Sequence, residues 1–168
     1  MLTWHEQAYR LHLPMYAHTL DDSLELLHKV PVPLCMFICM YDLKQGRIEY
    51  CNAGHNPPII GNPEGQYTFL DVKETNAPIG LWPELEYVGE EMDLPGDSMM
   101  LLYTDGLNEA ENRQQEQYGD DRIVELLTSL SASSCRDIVE ALKADTDRFR
   151  DGAEPNDDLT LLAFSFTS

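Results

Sequence analysis

The sequence predicts an α+β protein in which an antiparallel sheet system carries helices packed outside it. Two observations lead there. Short apolar runs broken by Gly, Pro, Asn and Asp fill most of the first two-thirds of the chain, and two amphipathic helical patterns then lead into a last apolar run. Consecutive strands joined by tight turns pair antiparallel, and helices grouped elsewhere in the sequence cover the sheet instead of alternating with it.

Each element has its own local reason. Residues 3–12 carry a helical pattern that stops before Pro14. TLDDSLELLHK (19–29) reads as a short helix with Thr19 at its N-cap and Asp22, three residues on, as capping partner. LCMFICMY (34–41) is too uniformly apolar for a surface strand and suggests a strand buried on both faces. DLKQG turns the chain, and RIEYCNA (47–53) runs back with Ile48, Tyr50 and Asn52 on one face. GHNPP breaks that strand, and IIGNPEGQYTFLD (59–71) supplies a further pair across a Gly/Pro turn. LEYVGEEMDL (85–94) and SMMLLY (98–103) add two strands around Pro95-Gly96-Asp97.

The helices follow. DDRIVELLTSL (120–130) places Ile123, Leu126, Leu127 and Leu130 on one face, with Asp120 and Asp121 where a helix N-terminus favours negative charge. SSCRDIVEALKADTDRF (133–149) starts at a serine cap and carries Ile138, Leu142 and Phe149 on one side. LTLLAFSF (159–166) is the closing strand.

Composition narrows the function classes. A chain of 168 residues fits one domain (1–168) able to bury a real core. The formal net charge is −19, and between Glu74 and Asn112 there are ten acids and no Lys or Arg. Such a surface repels phosphate backbones, so nucleic acid and anionic membrane are poor partners. A solvated acidic face, a bound cation or a basic protein partner all suit it. No apolar run approaches the roughly 20 residues of a membrane span, and MLTWHEQAYRLH lacks the pattern of a secretory signal. Cys35 and Cys39 read as small core hydrophobes, and the four cysteines show neither paired metal-site spacing nor a disulfide framework. A reducing, cytoplasmic setting is the expectation.

The chemistry-bearing candidates are acids at strand ends. Asp105, followed by Gly106, leaves the strand 98–103, and Asp157 and Asp158 stand at the entry of the closing strand. Asp-Gly is a favoured hairpin pair, but the following NEAENRQQEQYG has no strand alternation, which weakens that reading. If the two strands are antiparallel neighbours, exit and entry meet at one edge and the carboxylates converge. Like charges held close need a counter-ion, and oxygen ligands suit Mg2+ or Mn2+ better than zinc. Acids that merely cap turns are the alternative. Other motifs fail: WHEQAY has Tyr9 where a zincin helix needs its second His, and Phe149 and Arg150 occupy required positions of a calcium loop over Asp145, Asp147 and Asp151. No phosphate-cradling glycine loop or nucleophile elbow is present. His55 in NAGHNPP is a loop histidine at a strand end, structural or functional.

Taken in order, YCNAGHNPPII, LPGDSMMLLYTDGLNEAEN and NDDLTLLAF resemble the SpoIIE/RsbU branch of the PPM family, metal-dependent serine/threonine phosphatases related to protein phosphatase 2C. The resemblance runs from about Thr19 to Phe166. It implies an antiparallel β-sandwich flanked by helices and a dinuclear Mn2+ or Mg2+ centre. It implies attack of hydroxide on phosphorus without a covalent enzyme intermediate, and a phosphorylated regulatory protein of anti-sigma-antagonist type as substrate. By the family's motifs Asp105 and Asp157 are metal ligands, and Asp158, Gly106 and His55 are neighbouring or substrate-side positions. The family also carries an earlier Asp-Gly stretch whose aspartate bridges both metals, and this sequence has Asp-Gly only at 105–106 and 151–152. The expectation is therefore the C-terminal part of a phosphatase domain, truncated at its N-terminus, with weak or no turnover and a possible homodimer through exposed sheet edges. A non-catalytic acidic interaction module on the same scaffold is the alternative.

Overall fold

The computed structural model describes residues 33–72, 76–82, 85–130 and 134–166. The elements run β1 (Met36–Asp42), β2 (Arg47–Ala53), β3 (Ile59–Gly61), β4 (Tyr67–Phe69), β5 (Glu90–Asp93), β6 (Met99–Tyr103), α1 (Asp120–Ser129), α2 (Cys135–Arg150) and β7 (Leu161–Ser165). The helical patterns at 3–12 and 19–29 lie outside the described residues. The α+β expectation holds: the strands form two sheets, ordered β1-β2-β5 and β4-β3-β6-β7, and every strand pair is antiparallel. The sheets belong to two compact units, one of residues up to His55 with Val72–Leu94, the other of Asn56–Asp71 with Pro95 onward.

In the first unit, DLKQG makes the turn its composition predicts. Asp42 Oδ1 accepts from the backbone N–H of Lys44 (2.8 Å) and Gln45 (3.1 Å), and Gly46 takes the left-handed φ of 62°. Ile48, Tyr50 and Asn52 of β2 are all buried. Three expectations need correction. All seven residues of β1 are only partly buried, because β1 lies at the edge of its sheet, paired with β2 alone among the described strands. Cys35, just before it, is exposed and Cys39 is partly buried, so neither is a core hydrophobe; all four cysteines are free. The strand expected over 85–94 is also shorter, covering Glu90–Asp93. The buried Asn76 side chain takes the backbone of Val88 at both ends, donating to its carbonyl (3.0 Å) and accepting from its N–H (2.9 Å), so that residue needs no ladder partner.

In the second unit the sheet supplies Ile59, Tyr67, Met99, Leu101 and Tyr103 to one buried cluster, completed by Ile123 and Leu127 of α1 and Ile138 and Leu142 of α2. The helix periodicity is thus read correctly, with Leu126 and Phe149 partly buried against the same cluster. Ser134 closes a reciprocal capping box: its hydroxyl accepts from Asp137 N–H (3.2 Å) while Asp137 Oδ2 accepts from Ser134 N–H (3.1 Å). At the far end Asp151 (φ 49°) and Gly152 (φ 79°) stop α2 in left-handed conformations. No helix among the described residues is long and apolar enough to cross a membrane.

Candidate functional site

The register of β6 with β7 decides where the acids go. The two strands pair from Met99 opposite Ser165 to Tyr103 opposite Leu161. One step further, Thr104 N–H donates to Thr160 O (3.1 Å), and Thr160 N–H donates to Thr104 Oγ1 (2.9 Å). The exit of β6 and the approach to β7 therefore share one rim of the sheet, and the loops bearing Asp105 and Asp157 meet there. Gly106 marks the contact. A Cβ built on it would run into the backbone carbonyl of Asp158, so only a residue without a side chain lets the two loops touch.

The hairpin reading of Asp105-Gly106 fails on backbone geometry. Leu107 N–H donates to Thr104 O and Glu109 N–H to Asp105 O, both at 2.9 Å, which winds the chain in a helical sense. Gly106 is not among the residues of positive φ, whereas a type I′ loop needs that conformation at both central positions. The polar stretch that follows folds back on itself. Glu111 bridges Gln117, Tyr118 N–H donates to Ala110 O (2.9 Å), and Asn112 Oδ1 accepts from Gln114 and Glu116 N–H (2.9 and 3.0 Å). Leu107, Ala110 and Tyr118 are buried in the main cluster, so the Asp105 loop is anchored to the core on both sides.

Two side chains that the sequence reading did not single out cross between these loops, and a third, Arg150, reaches one of them from a helix. Thr104 Oγ1 donates to Asp158 O (2.8 Å), and Asn156 Nδ2 donates to Glu109 O (2.8 Å). From the end of α2, the buried Arg150 reaches Gly106 O with Nη2 at 3.4 Å, while its Nε has no partner among the described residues. Thr104 and Asn156 have adjacency as their only signal in the sequence, since Thr104 precedes Asp105 and Asn156 precedes Asp157; Arg150 has none.

The carboxylates themselves are exposed and face solvent. Asp157 Oδ1 accepts from Asp158 N–H at 2.7 Å, which orients that side chain, and no basic group among the described residues pairs with Asp105, Asp157 or Asp158. Two hard oxygen donors at one rim fit part of a Mg2+ or Mn2+ shell. They do not fit a two-metal centre by themselves. Among the described residues, no group of three or more His, Cys, Asp or Glu side chains comes together in a way that could hold a metal ion.

His55 lies in the first unit, whereas the acids lie in the second. Asn52 clasps its backbone, with Oδ1 accepting from His55 N–H (2.8 Å) and Nδ2 donating to His55 O (2.9 Å). Gly54 turns the chain at φ +75°, and a Cβ there would meet Pro78 Cγ at 2.7 Å. The ring stands 6.4 Å from that of Phe37, centroid to centroid. The AGH loop is thus fixed by its own neighbours.

A second charged cluster explains the acids on α2. Asp145 is buried and accepts from Tyr118 OH (2.8 Å), Arg122 Nε (2.9 Å) and Arg148 Nη1 (2.6 Å). The hydrogen bond from Arg122 holds its carboxyl below the usual carboxylate range, outweighing burial. Burial, with the hydrogen bond to Asp145 second, pushes the Tyr118 phenol up to about 12. The Arg122 guanidinium lies 5.0 Å from the ring centre of Tyr118 and 4.9 Å from that of Phe149. Asp145 is therefore the centre of an ion-pair network, in agreement with rejection of the calcium loop.

Comparison with known proteins gives the family and the fold. The family model described as Stage II sporulation protein E (SpoIIE) matches residues 5–167. Protein IcfG of Synechocystis sp. is 30% identical over 128 residues, covering 76% of this chain and 20% of IcfG. Phosphoserine phosphatase RsbP of Bacillus subtilis is 36% identical over 66 residues, 39% of this chain and 16% of RsbP. The chain thus spans a fifth or less of the length of these relatives. Among solved structures, the SiaA-PP2C domain of Pseudomonas aeruginosa superposes with a TM-score of 0.76 at 18% identity, covering 89% of this chain and 59% of that one. That likeness establishes the fold.

Proposed function

The chain belongs to the SpoIIE family of PP2C-like phosphatases, and from that premise we propose that it is a metal-dependent serine/threonine phosphatase domain of bacterial signalling. Its substrate class is a phosphoserine or phosphothreonine on a regulatory protein, of the anti-sigma-antagonist type. The observation that carries the reading is the shared rim: β6 and β7 bring the Asp105 and Asp157 loops into direct contact at Gly106. In this reading Asp105 and Asp157 are the residues that hold Mn2+ or Mg2+, Asp158 orients Asp157 through its N–H, and Gly106 sets how closely the two loops approach. The chain's own part is to present the two carboxylates preassembled and solvent-facing.

The sequence has Asp-Gly only at 105–106 and 151–152, one metal-ligand motif short of the family's set, so turnover by this chain alone is expected to be weak or absent. That shortage also favours a second reading, a non-catalytic module that keeps the scaffold and its acidic face to bind a regulatory protein. Calorimetric titration with Mn2+ separates them at the first step. The phosphatase reading expects binding heat that disappears in Asp105→Ala; heat unchanged by that substitution would sink the site assignment. Brisk hydrolysis of p-nitrophenyl phosphate by the pure chain would overturn the expectation of weak turnover and exclude the non-catalytic module.

A further inference from the structure

The two loops at the rim are joined by a reciprocal pair of hydrogen bonds. The residue immediately before each aspartate donates its side chain to the backbone of the opposite loop. Thr104, before Asp105, donates Oγ1 to Asp158 O at 2.8 Å. Asn156, before Asp157, donates Nδ2 to Glu109 O at 2.8 Å. Strand pairing covers little of this contact, because the β6·β7 ladder ends at Tyr103 and Leu161 and only one further backbone bond, Thr104 N–H to Thr160 O, follows it. Beyond that point two exposed loops of like charge would separate unless something bridged them. The bridges end on carbonyls, which leaves the carboxylates out of the brace and facing solvent.

We propose that Thr104 and Asn156 are positioning residues that set the separation of the Asp105 and Asp157 carboxylates, and so set affinity for a divalent cation at the rim. Thr104 has a second hold on the same loop, accepting at Oγ1 from Thr160 N–H (2.9 Å), so its hydroxyl is a relay between two backbone groups of the β7 side. Asn156 acts at the far side of the contact, on the carbonyl of Glu109, whose N–H closes the winding turn on Asp105 O. Arg150 supports the middle through Gly106 O. Each bond fixes a backbone atom within two residues of an acid except the Asn156 bond, which acts four residues past Asp105 through the turn closed by Glu109 N–H on Asp105 O. Groups that orient metal ligands without touching the metal change affinity by roughly 10- to 100-fold.

The cation part rests on the phosphatase reading; the brace does not. The test therefore measures both, on the whole 168-residue chain. Mn2+ titration calorimetry and amide hydrogen exchange are run on Asn156→Ala, Thr104→Val and Thr104→Ser, with Asp105→Ala as the site control. Asn156→Ala and Thr104→Val should each weaken Mn2+ binding by about tenfold or more. Exchange should quicken in peptides covering 104–110 and 154–160, with protection in α1 and β1 unchanged. Thr104→Ser, which keeps the hydroxyl, should restore both readouts. Unchanged exchange in those two segments overturns the brace, whatever the metal does. Quickened exchange with wild-type Mn2+ affinity overturns the positioning role. A wild-type chain that gives no Mn2+ heat, while exchange responds as expected, overturns the phosphatase site and leaves the brace supported.

Discussion

Two carboxylate clusters in the second unit show opposite economies of charge. Asp145 is buried, and three donors close around it, two of them guanidinium groups. Asp105 and Asp157 are exposed, and their surroundings fix the loops while leaving the carboxylates without a basic partner among the described residues. A charge balanced from within is part of the scaffold. A charge held in place yet left unbalanced is available to something from outside. The difference teaches which acids to ask for stability and which to ask for binding.

The strongest way to break the comparison is to delete both kinds of acid. Asp145→Ala should cost about 2 to 3 kcal/mol, because it removes a charged acceptor and leaves the buried Tyr118 hydroxyl without its partner, while Arg122 and Arg148 keep access to water. Asp105→Ala should change stability by no more than about 0.5 kcal/mol, as exposed substitutions do. Urea denaturation of the two variants measures this, and equal losses would erase the distinction between the clusters.

Gly106→Ala should come next, at about 2 kcal/mol, since the added methyl has to push the Asp158 backbone aside. Because the displaced atoms belong to the rim, its Mn2+ heat should fall further than its stability does. A variant that keeps full Mn2+ affinity would show that the loops need not touch.

The smallest effect is the pH dependence of the scaffold cluster. Asp145 titrates below its ordinary range when folded, so its stabilisation is present above pH of about 4 and is lost as pH falls through the lowered value. Tyr118 is raised to about 12, so its contribution is whole below pH of about 10 and is lost as pH rises towards 12. Thermal melts of Asp145→Asn and Tyr118→Phe against wild type should converge at those acid and alkaline extremes respectively. A difference that stays constant across pH would remove Asp145 from the titrating set.

The rim was legible in the sequence because its cause is short-range. Apolar runs ending at Tyr103 and restarting after Asp158 name the two strand ends, and antiparallel pairing then brings together the loops that carry the acids. Ser134 and the faces of α1 and α2 were legible for the same reason, being set by neighbours three and four residues away. β1 was misread because apolar content reports what a strand would tolerate, whereas its place at a sheet edge is decided by the whole topology. Thr104 and Asn156 were invisible because their partners stand 54 and 47 residues away, and no local pattern encodes such a bond. His55 was legible as a loop residue, and its clasp by Asn52 spans only three positions.

The chain uses the dipeptide Asp-Gly twice, and the two copies are homonyms. At 151–152 the glycine is there for its torsion, a φ of 79° at the end of a helix. At 106 it is there for its emptiness, a gap the width of one methyl group through which another backbone passes. A library that replaced both glycines with D-alanine would tell them apart at once. The left-handed position would accept the inverted residue, and Gly106, whose φ is not positive, would reject it on torsion.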